Sequence, residues 1–239
     1  MADNKINWPD NVNVQGLMSF PLYSVENLDQ VKEWRDRKNF AKPKFPDRIG
    51  FSLFLNQAQH DRVKANLLDV YLPFAATLQA ESNKSKGVDP KIVAKLVKLV
   101  QDDDFSENNL PIRDLNDKDE ENLDKNEVEG IVSKLRVAGP PQDGPIKRKA
   151  IVTRGGVRAV VPLDDDDVYE KLGEQSDPTT LWWGAMWPFR TAVRFNAYQA
   201  ANFGVAAYVN TAYLLADREL MTFGGGDAAV VEDGDDWED

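Results

Sequence analysis

Between Phe189 and Tyr198 the chain reads FRTAVRFNAY, and a period of two sorts these residues onto two faces. Phe189, Val193 and Phe195 share one face, with Thr191 and Ala197 small between them; Arg190, Arg194 and Tyr198 share the other. Two guanidiniums and a ring on one strand face suit a sequence-blind binder of a nucleic-acid strand. Arginine holds a phosphate or stacks on a base, and an aromatic ring offers a base a π-surface worth ~1–3 kcal/mol. The solvated outside of an ordinary barrel shows the same pattern, so spacing alone leaves both readings open. Further cations gather at Lys147, Arg148, Lys149, Arg154 and Arg158, and in the loop NFAKPKFPDR at Lys42, Lys44 and Arg48. These converge on one groove if the strands that carry them are barrel neighbours. Phe54, Trp187 and Phe203 are candidate stacking rings, with Trp182, Trp183 and Tyr208 beside them. At least half of Trp182, Trp183, Trp187, Phe203 and Tyr208 are expected in the core, because large aromatics dominate cores.

Other chemistries find little support. There is no cysteine, which excludes disulfides, thiolate metal sites and cysteine nucleophiles. The single histidine, His60, sits beside Asp61 on a predicted helix and reads as a surface residue. Asp164–Asp167 could attract magnesium, but four adjacent carboxylates cannot all face one ion, and such a run reads as a solvated loop. No GxxxxGK[ST] phosphate loop occurs, which argues against a nucleotide-driven motor. No catalytic residue, metal or cofactor is expected, and the chain is not expected to be an enzyme.

The net charge of −11 is unevenly spread. Asp227–Asp239 holds seven carboxylates and no cation, and Asp102–Glu127 holds eleven against three cations. Taking those −7 and −8 from the total leaves +4 on the other 200 residues. A mildly basic body can hold phosphates by releasing their counterions, while an acidic tail competes for the same groove. The N-terminus MADNKINWPD has no apolar leader, and no apolar run approaches a membrane span. A soluble protein of a reducing cytoplasm is expected, with no membrane partner.

The elements that must position these side chains are partly legible. Residues 1–13 read as an irregular lead-in, and Val14–Val25 as a strand with Pro21 at an edge or bulge. Ile49, Phe51, Leu53 and Leu55 alternate with Gly50, Ser52, Phe54 and Asn56, the period of a half-buried strand. From Gln57 the period becomes helical, with Val63, Leu67, Val70, Tyr71, Phe74 and Leu78 on one face. Pro73 is expected to kink this helix or end its regular part. Asp89-Pro90 opens a short helix to about Val100, with Lys91, Lys95 and Lys98 along one side as a phosphate-facing stripe or a solvated face. Residues 102–129 are expected to be poorly ordered or loosely helical. Lys147–Arg154 and Val157–Leu163, joined at Gly155-Gly156, read as a hairpin; Phe189–Tyr198 and Val205–Leu215 close the fold. Five or six strands, with one substantial helix between the second and third, point to a small closed barrel. Its core is expected at about 14–80 and 145–220, with an insertion at about 81–144. One domain then spans 1–226, and an acidic tail 227–239.

The C-terminal quarter resembles the end of the single-stranded DNA-binding proteins of short-tailed lytic phages. The matching pieces are Ala192–Tyr198 (a strand of the A-x-V-x-F-x-A-Y kind), Gly204–Tyr213, Gly224–Gly226 and the acidic Asp227–Asp239 with Trp237 near its end. Met18–Ser24 and Arg48–Asn56 also resemble that family's first strands. The resemblance implies an OB-fold, a mainly β five-stranded barrel with helices, that coats and protects single-stranded DNA in replication and recombination. It further implies strand annealing, a cooperative or homodimeric form, and residence in the cytoplasm of an infected bacterial host. Asp233, Asp235, Asp236, Trp237, Glu238 and Asp239 would then engage replication proteins, a polymerase and a helicase or primase. Here Glu238 and Asp239 follow the aromatic, where the family's tail ends on it. Two alternatives stand beside this: an acidic DNA mimic or virion structural protein, and a magnesium-dependent nuclease built on Asp164–Asp167.

Overall fold

The computed structural model describes residues 7–18, 22–23, 50–80, 88–106, 109–138, 147–154, 156–162, 182–183, 188–199 and 202–215. The alternation that marks the first strand is that of β1 (Val12–Met18), where Val12, Val14 and Met18 are buried. The described strand β2 (Leu22–Tyr23) belongs to a separate two-stranded sheet, so the expected single strand over Val14–Val25 is two in its described parts, and Pro21 lies outside the described residues. In β3 (Gly50–Asn56), Phe51, Leu53 and Leu55 point into the core. Asn56 then caps the helix α1 (Gln57–Ala65), accepting from Gln59 N at 3.0 Å, while Gln15 N donates to Gln59 Oε1 at 2.9 Å and ties the helix start to β1.

Pro73 acts on the helix before it rather than ending it. Its missing N–H leaves no partner for the carbonyl four residues back, and the preceding turn widens into a π-helical segment over Asn66–Tyr71. Leu72 N bonds Leu67 O across it, and the helix resumes as α2 (Leu72–Ala80). Val63, Leu67, Tyr71 and Leu78 are buried as the helical period requires, but Val70 is 41% exposed, because the widened turn rotates it off that face. From this turn Tyr71 reaches the barrel, where its hydroxyl accepts from Ala197 N and its ring centroid lies 5.8 Å from that of Phe195. Helix α3 (Pro90–Gln101) begins as expected, with Asp89 accepting from Lys91 N, and buries Val93, Leu96 and Val100.

The described part of the stretch beyond α3 is ordered and structural, contrary to the expectation for 102–129. Asn109 O accepts from Val205 N at 2.7 Å, Pro111 O accepts from Arg136 N at 2.9 Å, and β4 (Ile112–Arg113) pairs with β5 (Ile131–Ala138). Leu110 and Ile112 are buried in the core. Helix α4 (Asp117–Lys125) follows with a reciprocal capping box between Asn116 and Asp119. Strand β5 lies within the supposed insertion of 81–144, yet it is a barrel strand paired with β3 over seven positions. The boundary drawn there is therefore corrected: the insertion ends before Ile131.

The predicted hairpin is present as β6 (Lys147–Arg154) and β7 (Val157–Pro162), antiparallel, with Arg154 opposite Val157. After β8 (Trp182–Trp183), which pairs with β2, comes the longest described strand, β9 (Pro188–Gln199). The run expected as one strand over Val205–Leu215 is two, β10 (Phe203–Tyr208) and β11 (Thr211–Leu215), both laid along one edge of β9. The barrel closes in the order β1–β3–β5–β10–β9 and back to β1, with β5 and β10 parallel where Tyr208 faces Ala138. Counting barrel strands only, that order is first, second, third, fifth, fourth, first, which is an OB-fold. Outside the ring, β11, β6 and β7 extend the sheet, so the hairpin is an appendage of the barrel and not one of its staves.

Burial pushes the Tyr71 phenol up to about 12; the Ala197 hydrogen bond opposes the rise and the nearby Tyr208 adds to it. Between its ordinary value and this one, the unfolded chain has released the proton and the folded chain retains it. Stability therefore falls as pH rises through that window. Tyr71→Phe is expected to remove about 2 kcal/mol of that fall, seen by comparing urea midpoints of the two proteins at about pH 8 and about pH 11.5. A difference between the proteins that stays constant across that interval would contradict it.

Candidate nucleic-acid interface

Burial along β9 alternates as its sequence does: Phe189, Thr191, Val193 and Phe195 are buried, while Arg194 is exposed, Tyr198 is 37% exposed and Arg190 half-buried. Residues opposite one another on neighbouring strands share a face. Arg190 lies opposite Tyr213 of β11, and Tyr213 opposite Lys149 of β6, with Lys149 Nζ 6.0 Å from the Tyr213 ring centroid. Arg194 lies opposite Tyr208 of β10. One outward surface thus alternates cation and ring across four strands, Lys149–Tyr213–Arg190 at one level and Arg194–Tyr208 at the next.

At the far end of β9, Tyr198 lies opposite Gly204, and its ring covers that glycine. A Cβ at 204 would stand 2.6 Å from Tyr198 Oη and 2.5 Å from the Asn109 carbonyl, so only glycine lets the ring and the 109–113 segment both close on β10. Arg113 on β4 and Arg136 on β5 belong to this neighbourhood, Arg136 N donating to Pro111 O. Burial, then the like charge of Arg136, lowers the Arg113 pKa, while Tyr198 works in the opposite sense.

The outward face of β1 and β3 is closed where Leu17 and Phe54 sit. Leu17, Phe54 and Leu123 form a second apolar cluster, with Leu115, Val128 and Ile131 packed against it, so α4 lies over the barrel wall at this point. Lys134, opposite Phe54, donates to the buried Asp119 carboxylate of α4. Phe54 is 1% exposed, and its assignment as a stacking ring is corrected: the helix covers it before any base can.

The other expected site residues distribute as follows. Lys149 is exposed on the described face. Lys147 and Arg148 stand in register opposite Thr211 and Ala212, and Arg154 and Arg158 opposite Val157 and Thr153 in the hairpin. Phe203 is half-buried against the core, with Lys95 Nζ 5.3 Å from its ring centroid. Lys42, Lys44, Arg48, Trp187, the Asp164–Asp167 run and the tail 227–239 lie outside the described residues. Arg113, Arg136 and Tyr213 are additions that the sequence reading passed over. The signal for Arg136 was present, since Ser133, Leu135 and Val137 alternate with Val132, Lys134 and Arg136 at a strand's period. His60 is corrected from a surface residue to a buried one, with Nδ1 2.8 Å from Ser133 Oγ and Phe105 edge-on to its ring.

No protein-family model matches the chain, and no curated protein matches its sequence. Among solved structures, it aligns with the single-stranded DNA-binding protein of bacteriophage Enc34 in complex with ssDNA over 90% of both chains, at TM-score 0.41 and 11% identity. The same phage's protein without DNA aligns over 94% of this chain and 90% of that one, at TM-score 0.34 and 11% identity. The single-stranded DNA-binding protein gp2.5 of bacteriophage T7 aligns over 91% of both, at TM-score 0.30 and 12% identity. Overlays this loose carry no weight on what the chain binds.

Phe54→Ala separates packing from binding at the closed face. Removing a fully buried ring is expected to cost about 3–5 kcal/mol in denaturant unfolding. Affinity of the folded fraction for an oligonucleotide should stay within about twofold, since the ring has no access to a ligand. A stable variant with weakened binding would return Phe54 to the interface.

Proposed function

We propose that this protein binds single-stranded DNA without reading its sequence, and coats it during replication and recombination. The observation that carries the proposal is the outward row of β9, Arg190, Arg194 and Tyr198, joined in register by Tyr208, Tyr213 and Lys149. Rings spaced among guanidiniums take unpaired bases on their faces while the cations hold the backbone, and a duplex keeps its bases stacked away from such rings. The resemblance of the C-terminal quarter to phage single-stranded DNA-binding proteins supports the same reading.

A titration of fluorescent oligonucleotides across salt tests it. Single strands should bind more tightly than duplex, with composition making little difference. Arg194→Ala should lower the salt slope by about 0.7, one phosphate's worth. Tyr198→Ala should weaken binding by ~1–3 kcal/mol, the worth of one stacked base. Tighter duplex binding, or affinity that ignores salt, would overturn the proposal.

We further propose that the segment Asp227–Asp239 competes with DNA for this face and, when displaced, offers Trp237 and its flanking carboxylates to a replication partner. Its support is its composition: seven carboxylates, no cation, and a single ring. Tethered to a basic surface, such a segment acts at high effective concentration. Deleting it should tighten single-strand binding at low salt, and the gain should shrink as salt screens the tail's attraction. Equal affinities at low salt would remove the competition.

A further inference from the structure

Helix α3 carries Lys91, Lys95 and Lys98 at i, i+4 and i+7, all exposed, and no carboxylate in its twelve residues. Its other face buries Val93, Leu96 and Val100, so packing fixes the lysine row outward. None of the three is ion-paired with a described residue, whereas Lys64 and Lys134 are held by Asp103 and Asp119. The helix is fastened to the end of β9: Asp89 N donates to Gln199 Oε1 at 3.0 Å, and Lys95 Nζ lies over Phe203. Gln199 and Phe203 flank the β9–β10 turn, immediately beyond Tyr198. In an OB-fold the loop between the fourth and fifth strands borders the oligonucleotide site.

We infer that the DNA path continues past Tyr198, across the β9–β10 turn and onto α3, where Lys91, Lys95 and Lys98 hold backbone phosphates. The inference rests on the single-strand reading above. The lysine row extends ~10 Å along the helix, and Asp89, the carboxylate at the junction with Gln199, is engaged at the helix start by Lys91 N. Lysine is a point charge on a flexible stem, suited to a backbone of variable course, whereas the planar arginines on β9 and β5 fix theirs. The site therefore has a specific grip on the barrel and a looser extension on the helix.

The test compares wild type, K91Q/K95Q/K98Q, and a control K118Q/K125Q on α4, each checked for folding by its thermal melt. Each is titrated across salt with oligo-dT of about 30 and about 8 nucleotides. On the long oligonucleotide the triple variant should show a salt slope lower by about 2, from three phosphates at about 0.7 each, and a smaller occluded length. On the short one, which the barrel face alone accommodates, it should bind within about twofold of wild type, and the control should match wild type on both. Should the triple variant melt early, K91Q and K98Q made singly should each lower the slope by about 0.7. An unchanged slope on the long strand would overturn the inference while leaving the barrel interface standing. Equal losses on both lengths would also overturn it, by showing a general field rather than a path. Failure of wild type to bind either strand would remove the underlying reading and the extension together.

Discussion

Backbone pairing along β9 is the constraint from which the rest of the architecture follows. One edge of this strand bonds β1 from Pro188 to Val193; the other bonds β11 over Phe189–Thr191 and β10 over Arg194–Gln199. A single strand thus closes the barrel and also starts the outer sheet of β11, β6 and β7. Since successive side chains alternate, one register sets both the core row with Phe189, Val193 and Phe195 and the outward row with Arg190, Arg194 and Tyr198. A slip by one residue would exchange them, placing guanidiniums in the core at prohibitive desolvation cost. Core packing and the charged face are therefore the same decision.

The acidic stretch gains meaning from where it folds. Its first part completes the wall between β5 and β10 through Asn109, Pro111 and Ile112, and its helix seals Leu17 and Phe54. The carboxylates of α4 consequently lie beside β1, β3 and β5, while the described Arg194, Lys149 and Lys95 lie along β9, β6 and α3. Among the described residues, the carboxylates of α4 and these cations are therefore carried by different elements.

The sequence made the strongly periodic parts visible. The register of β9, the alternation of β3, the Gly-Gly hairpin and the Asp89 cap all follow from local rules, and the structure has them where those rules put them. What escaped depended on partners distant in the chain. The Asp102–Glu127 stretch looked too acidic to fold, because neither the apolar wall that receives Leu123 nor Lys134 under Asp119 is local to it. Phe54 occupied the polar phase of its strand, and only the arrival of α4 makes that phase buried. The split between β10 and β11 reflects a change of neighbour along β9's edge, which periodicity does not encode.

The pairing of β1 with β9 has a temporal side. Val12 bonds opposite Val193, so about 180 residues of chain separate the two strands that close the ring. At a synthesis rate of about 5–20 residues per second, β1 waits about ten to forty seconds for its partner. Throughout that interval its backbone edge and the apolar residues of β1 and β3 stand open to other nascent chains. Contacts that need no later strand, α1 against β1 through Gln59 and α4 over Leu17 and Phe54, involve residues no later than Ile131. They give the newborn protein a partial cover for its unclosed edge, so the helix that shields one wall of the finished barrel also guards the unfinished one.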